Sequence, residues 1–215
     1  MKLKPYTEQA LNWPKEGQHI LAQYCKKTIT VYQAYKPSIG EFAAQHGYFG
    51  DGFSYQRMSW IKTNFLWMMY RCGWGTKADQ EVILAITIPR SLFDEMLSQA
   101  VASQFTHSRF SCHEDWQSAL QSSEVRLQWD PDHTPDGAKE PRRAIQLGLR
   151  GDMLQRFAKD EVLRIENITP FVRQQHLLAQ TNLSRLVTPL EEIYLPAETQ
   201  PRINVSLTDA TTSPL

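Results

Sequence analysis

Long apolar runs, a net charge and a cysteine framework are all missing from this sequence of 215 residues. No apolar stretch approaches the ~20 residues that a helix needs to cross a bilayer. The segment after Met1–Pro5 is polar and lacks the apolar core of a signal peptide. Cys25, Cys72 and Cys112 are widely spaced, which argues against a disulfide framework and against a cysteine-based zinc site. We therefore expect a cytoplasmic protein that does not insert into a membrane.

Signature motifs and charge asymmetry are also absent. Lys plus Arg number 23 and Asp plus Glu number 23, so any attraction for nucleic acid must come from a local patch. The phosphate-binding patterns G-x-x-x-x-G-K-[ST] and G-x-G-x-x-G do not occur, and neither does the G-x-S-x-G elbow. The histidines have no partner at i+4 and no C-x-x-C nearby, so we expect no metal.

The composition is that of one ordinary globular domain. Hydrophobic residues make up 41% and charged residues 21%, which excludes disorder over most of the chain. Strand-like and helix-like stretches alternate without a regular β-α-β rhythm, so we expect a single α+β domain over residues 1–195, with a mixed, mostly antiparallel sheet flanked by helices. Residues 196–215 are polar and rich in Pro and Thr, which predicts a loosely attached tail.

Periodicity and capping residues predict the individual elements. Strands are predicted at residues 28–35, 82–88, 124–129, 144–149 and 162–168. Helices are predicted at residues 14–24, 37–47, 64–71, 91–102, 113–120, 151–158 and 169–180. Residues 131–141 contain three prolines and a glycine and are predicted to form a loop.

The stretch between Asp51 and Asp79 contains no acidic residue. Its cations, which could bind an anion such as a phosphate, are Arg57, Lys62, Arg71 and Lys77. In a protein without net charge, so lopsided a run favours an anion site, although solvated surface cations are the alternative.

Trp60, Trp67 and Trp74 recur at every seventh residue within the same stretch. Flat aromatic rings beside cations can stack a nucleotide base. The alternative is a buried helix face. For Trp67, which lies among other large apolar residues, we expect the core; Trp60 is the stacking candidate.

Gln33 and Gln146 are long amides inside apolar strand patterns, and a buried amide needs hydrogen-bond partners. Side-chain alternation places Tyr35 on the same strand face as Gln33. Arg143 precedes Gln146 by three residues. We expect both amides to face one shared site; the alternatives are a solvent-facing edge strand for Gln33 and a bulge with exposed arginines near Gln146.

Gln128 and Asp130 lie where a predicted strand runs into the proline-rich loop. A carboxylate that leaves a sheet into a loop is well placed for chemistry. The alternative is a structural turn, since Asp before Pro is ordinary turn chemistry. Asp130 is the carboxylate that we expect to act as a base.

Segments at residues 31–49, 57–77, 127–133 and 142–152 together resemble the family called domain of unknown function 4291. The resemblance covers roughly residues 24–169. One departure is visible at Thr63-Asn64, where the family pattern has Pro-Ser after Trp-Ile-Lys. Asn64 can still cap the helix that follows. The family itself implies no activity.

A more distant resemblance is to ADP-ribosyltransferase-like folds. Tyr32-Gln33 and then Ile39–Phe49 are similar to the first strand and helix of that superfamily. The resemblance implies that Gln33 and Gln146 occupy the positions of residues that hold a nicotinamide dinucleotide and its ribose. Both are glutamines, where the superfamily usually has His or Arg at the first position and Glu at the last.

These observations define the expected function. We expect a nucleotide-handling protein, with an ADP-ribosyltransferase-like enzyme as the concrete form: a nicotinamide dinucleotide (NAD) would modify a nucleic acid or a small acceptor. The alternative is a non-catalytic module that binds nucleotide or nucleic acid. Gln33, Asp130 and Gln146 are the expected catalytic residues. The expected ligand-binding residues are Tyr35, Arg57, Trp60, Lys62, Arg71, Lys77, Gln128 and Arg143. The sequence indicates no particular oligomeric state.

Overall fold

The computed structural model describes residues 1–208. In this part of the chain the strands are β1 (Leu3–Pro5), β2 (Gly17–Gln18), β3 (Leu21–Ala22), β4 (Thr28–Tyr35), β5 (Ser59–Lys62), β6 (Val82–Pro89), β7 (Val101–Ala102), β8 (Val125–His133), β9 (Lys139–Leu149), β10 (Arg164–Asn167), β11 (Val187–Pro189) and β12 (Glu192–Ile193). The helices are α1 (Tyr6–Ala10), α2 (Pro37–His46), α3 (Phe65–Cys72), α4 (Arg90–Gln99), α5 (His113–Ser122), α6 (Gly151–Gln155), α7 (Thr169–Thr181) and α8 (Thr199–Asn204).

A mixed sheet organises the fold, with strand order β10-β6-β4-β5-β9-β8-β7. The neighbouring pairs from β10 to β8 are antiparallel, whereas β7 pairs with β8 in parallel and β2 joins β9 in parallel. The expectation of a single α+β domain with a mixed, mostly antiparallel sheet is confirmed. None of the helices in residues 1–208 is long and apolar enough to span a membrane.

The sheet buries both of its faces, at least in part. On one face, Leu84 and Ile86 of β6 join a core closed by α2, α4 and α6. On the other, Ile83 and Ala85 join a second core closed by α3 and α7. A strand covered on both sides must be apolar along its whole length, which explains the continuous apolar run that made β6 the clearest strand of the sequence.

Helix α3 begins at a buried polar cluster that satisfies its first N–H groups. The Asn64 side chain accepts from the Trp67 N–H at 2.7 Å, and a carboxylate oxygen of Glu191 accepts from the Phe65 N–H at 2.7 Å. The expectation that Asn64 caps this helix is therefore confirmed. Asn64 also donates to Asp132, which forms a buried ion pair with Arg142 at 2.6 Å.

Two predicted elements are wrong. The expected helix at residues 14–24 is absent: α1 comes earlier, and the short strands β2 and β3 occupy that stretch. The spacing of the apolar residues was misleading. Ile20 and Leu21 are consecutive and both buried, but they lie in the cores on opposite sides of the sheet instead of on one helix face. The expected loop at residues 131–141 is mostly strand, because β8 and β9 continue as a long hairpin and turn at residues 134–138.

We expected residues 196–215 to form a loosely attached tail. This expectation is corrected for residues 199–208, which dock on the rest of the protein. Val205, just after α8, is fully buried in the first core. Its carbonyl accepts from the Trp129 indole N–H at 3.0 Å, and the Asn204 amide donates to Leu97 and Ala100 of the α4 region. The segment is polar on average, so its composition gave no indication that Val205 is buried. Residues 209–215 lie outside the described residues.

We predict that Val205→Ala destabilises the protein by about 2 kcal/mol, because it leaves a cavity in the core. Ile203→Ala is the matched control: Ile203 belongs to the same segment but is 61% exposed, so its loss should change stability by less than about 0.5 kcal/mol. Urea unfolding of both variants measures the difference. Equal stability of the two variants would mean that the segment does not dock.

Candidate functional site

The sheet face that carries the second core is only partly covered by helices. Its uncovered part carries polar side chains. Along β8, Val125, Leu127 and Trp129 point into the first core. Since strand side chains alternate, Gln128 and Asp130 point to the opposite face. There they line a cleft of about 670 Å³ beside α3, which we call the Asp130 cleft.

Strand register brings the floor of the Asp130 cleft together. Lys62 of β5 is paired with Gln146 of β9, and Gln146 is paired with Gln128 of β8. Directly opposed residues on antiparallel strands share a face, so one cross-strand row contains a cation and two amides. The cleft is lined by Gln33, Ala34, Tyr35, Met58, Ser59, Trp60, Lys62, Trp67, Met68, Arg71, Asp79, Gln80, Gln128, Asp130 and Gln146.

Asp130 is held in place by amides. The Gln146 amide donates to one carboxylate oxygen at 2.7 Å, and the Gln128 amide donates to the other at 3.3 Å. Burial raises the pKa of this carboxyl group, while the hydrogen bond from Gln146 and the charge of Lys62 act in the opposite direction. Asp130 is therefore a fixed carboxylate with a raised pKa, which makes it a stronger base than an exposed aspartate.

Lys62 lies at the floor of the cleft and is only 5% exposed. Within residues 1–208 no ion pair involves its ammonium group. Burial lowers its pKa to about 8, and the charge of Arg71 acts in the same direction, while Asp130 raises it. A buried cation without a bonded counter-charge is costly, and an anionic ligand in the cleft would offset that cost.

Strands β4 and β5 separate beside the cleft. They form one backbone pair, between Tyr32 and Lys62. Beyond it, side chains bridge the gap: the Gln33 amide donates to Ser59 Oγ at 2.8 Å and to the Trp60 carbonyl at 3.1 Å, and Tyr35 Oη contacts Ser59 Oγ at 2.7 Å.

We expected Gln33 and Gln146 to face one shared site, but the same register turns their side chains to opposite faces of the sheet. Tyr32 lies on the face of Lys62 and Gln146, so the next residue, Gln33, points to the other face. Both amides nevertheless border the Asp130 cleft, because the gap between β4 and β5 opens the sheet at that point. Gln33 Oε1 is buried without a hydrogen-bond partner in residues 1–208.

Aromatic residues form one wall of the cleft. Trp60 is half-buried and lines it, as a stacking residue would. Trp67 is 6% exposed, which confirms its place in the core, and its ring is parallel to that of His133 with centroids 5.2 Å apart. Trp74 is buried elsewhere, against His176. The spacing of seven residues therefore does not correspond to a single helix face.

Three expected ligand-binding residues lie outside the cleft. Arg57 lines an adjoining cavity. The Lys77 ammonium group donates to the Arg71 carbonyl at 2.7 Å and thus holds the end of α3. Arg143 does not line the cleft: alternation along β9 turns it away from the face of Gln146, although its charge is close enough to lower the pKa of Asp130.

Sequence reasoning missed Ser59 and Asp79, which also line the cleft. The pattern at residues 53–62 was ambiguous, so no face could be assigned to Ser59. Asp79 marked the end of the acid-free stretch, but its left-handed backbone (φ of 63°) depends on the turn between α3 and β6. Residues 1–208 contain no group of three or more His, Cys, Asp or Glu residues that could hold a metal ion.

We predict that Lys62→Met stabilises the protein at pH 7 by roughly 3 kcal/mol, and that this gain disappears at high pH. Because the pKa of Lys62 is about 8 when folded and its ordinary value is 10.5, the unfolded chain holds more protons between these values. Stability of the wild type therefore rises with pH across that window. Thermal unfolding from pH 7 to 10.5 measures this, with Lys26→Met, at an exposed position, as the control. A stability difference that is independent of pH would contradict the burial of the charge.

The comparisons with known proteins give a family. A comparison with curated proteins found no match. The family model described as "Domain of unknown function (DUF4291)" matches residues 19–198, a range that contains every residue that lines the Asp130 cleft. The chain therefore belongs to the DUF4291 family.

Proposed function

We propose that this protein is a nucleotide-binding transferase, which uses a nicotinamide dinucleotide as donor and modifies a nucleic acid or a small acceptor. One observation carries the proposal: a buried lysine without an ion pair in residues 1–208 and an amide-held carboxylate of raised pKa share one cleft. The family match assigns no activity, so the support comes from the chemistry of the cleft.

The cations support the binding of phosphate. Lys62 at the floor and Arg71 at the rim both line the cleft, and neither has an ion-pair partner within residues 1–208. Arg offers a planar fork of donors that matches phosphate oxygens, and Lys offers a compact charge. Trp60 adds a ring on which a base or nicotinamide can stack.

The position of Asp130 favours an enzyme over a binding module. A carboxylate beside the cations repels an anionic ligand, because both are negatively charged. It therefore weakens a module whose only task is to bind anions. Asp130 nevertheless lies among them, held by Gln128 and Gln146. Of the other acidic residues, Asp79 lines the cleft but is exposed. Glu166 does not line the cleft and forms an ion pair with Arg164 at 2.9 Å.

A bound nicotinamide dinucleotide supplies an electrophilic ribose carbon and a leaving group. The chain's own residues would do the rest: Asp130 takes the proton from the acceptor O–H or N–H as the new bond to that carbon forms and the bond to nicotinamide breaks. Gln146 and Gln128 keep the carboxylate oriented. Gln33 Oε1, buried without a partner in residues 1–208, is free to accept a hydrogen bond from a ribose hydroxyl.

We predict that NAD raises the melting temperature of the wild type and that Arg71→Ala loses most of this shift. A ligand at 100 times its dissociation constant stabilises by about 2.7 kcal/mol. Arg109→Ala is the control, because Arg109 is exposed and does not line either cavity. A full NAD shift in Arg71→Ala, or no shift in the wild type, would place the nucleotide site elsewhere.

We predict that Asp130→Asn retains the NAD-induced shift but lowers the release of nicotinamide by about 10²- to 10⁴-fold, the usual contribution of general base catalysis. Chromatography of nicotinamide released with single-stranded DNA, RNA or no acceptor measures the rate. Because the pKa of Asp130 is raised, activity should begin to rise at a higher pH than an ordinary aspartate would give. Asp115→Asn, on an exposed part of α5, should behave as the wild type.

The two readouts separate the transferase from the alternative of a non-catalytic binding module. Binding without any release of nicotinamide, in the wild type and in Asp130→Asn alike, would favour the module.

A further inference from the structure

A second cavity of about 470 Å³ adjoins the Asp130 cleft. We call it the Arg57 cavity. Its lining includes residues that also line the Asp130 cleft, namely Tyr35, Met58, Ser59 and Asp79. The two spaces are therefore neighbours across a thin wall at the end of β4 and the start of β5.

The Arg57 cavity has the chemistry of a site for a phosphorylated aromatic group. Arg57 and Lys36 supply positive charge, and neither has an ion-pair partner within residues 1–208. Phe53 and Ile39 supply apolar surface, and Ser54 a hydroxyl. The cavity also contains one carboxylate, Asp79, so its two cations outnumber its single acid.

The shared wall consists of side chains instead of paired backbone. The bridge from Gln33 through Ser59 to Tyr35 occupies the gap where β4 and β5 no longer pair. Asp79 lies at the edge of both spaces. A continuous ladder would have separated the two spaces with paired backbone, whereas here the same side chains, among them Met58 and Ser59, border both.

We propose that the Arg57 cavity is the second subsite of the same ligand, so that the preferred ligand has two nucleoside halves joined through phosphate. This inference rests on the proposed nucleotide function and adds to it: the Asp130 cleft holds one half through Lys62 and Arg71, and Arg57 holds a group of the other half. A mononucleotide uses one subsite and leaves the cations of the other subsite unpaired.

The linkage between the halves can come from two sources. NAD joins them 5′ to 5′ through pyrophosphate, and a single-stranded nucleic acid joins them 3′ to 5′ through one phosphate. Both are tested, NAD and the dinucleotide ApA, beside the separate halves nicotinamide mononucleotide and AMP. Isothermal titration with the full chain measures each affinity for the wild type, Arg57→Ala, Arg71→Ala and the control Arg109→Ala.

We expect at least one joined ligand to bind about tenfold or more tightly than either half, since joining two halves that fit adjacent subsites makes the second contact intramolecular. Arg57→Ala should weaken the joined ligand by about tenfold or more, the loss expected for a charged hydrogen bond, and leave one half within about twofold. Arg71→Ala should weaken the joined ligand and the other half. Arg109→Ala should change nothing. Which joined ligand is preferred identifies the source.

Other outcomes overturn the inference. Joined ligands that bind no more tightly than the better half, or an unchanged affinity in Arg57→Ala, remove the second subsite while leaving the proposed transferase intact, because the release of nicotinamide tests that independently. If the wild type binds none of the four ligands, both the nucleotide function and the second subsite are wrong.

Discussion

Side-chain alternation along the β8–β9 hairpin is the constraint on which both the core and the candidate site depend. Val125, Leu127 and Trp129 must point into the first core because α4, α6 and Val205 close over that face. The residues between them are thereby directed to the other face, where α3 covers only part of the sheet. The polar row with Asp130 is the consequence, and a shift of one residue in register would exchange core and cleft.

Helix α3 forms the boundary of that uncovered region, and its position is fixed by buried polar contacts. Asn64 and Glu191 satisfy its first N–H groups, and Asp132 with Arg142 connects the same cluster to the hairpin. Burial raises the pKa of Glu191 well above its ordinary value. A cluster of this kind offers little net stability, since desolvation offsets much of the attraction, but it determines where the helix starts and so how much of the sheet remains open.

The cleft itself carries groups that the fold alone does not stabilise. Lys62 is buried without an ion pair, Gln33 Oε1 has no hydrogen-bond partner within residues 1–208, and Asp130 has a raised pKa. Each costs free energy in the unliganded protein. Such groups concentrated in one concave space are typical of a site that is completed by a ligand, and this concentration is the physical basis of the transferase proposal.

The sequence by itself determined the fold class, the ranges of β4 and α2, the buried β6 and the cap at Asn64, because alternation, apolar runs and capping are local properties of the chain. It also selected Lys62, Gln128, Asp130 and Gln146, since charge and amides inside strand patterns are visible without a structure. The tertiary structure decided what local pattern could not. The register that pairs Lys62 with Gln146, the gap that brings Gln33 to the cleft from the opposite face, the separation of Arg57 into its own cavity and the docking of Val205 all depend on contacts between residues far apart in the chain. Pairing, strand divergence and burial of this kind are set by the packing of the whole sheet, and no window of the sequence contains them.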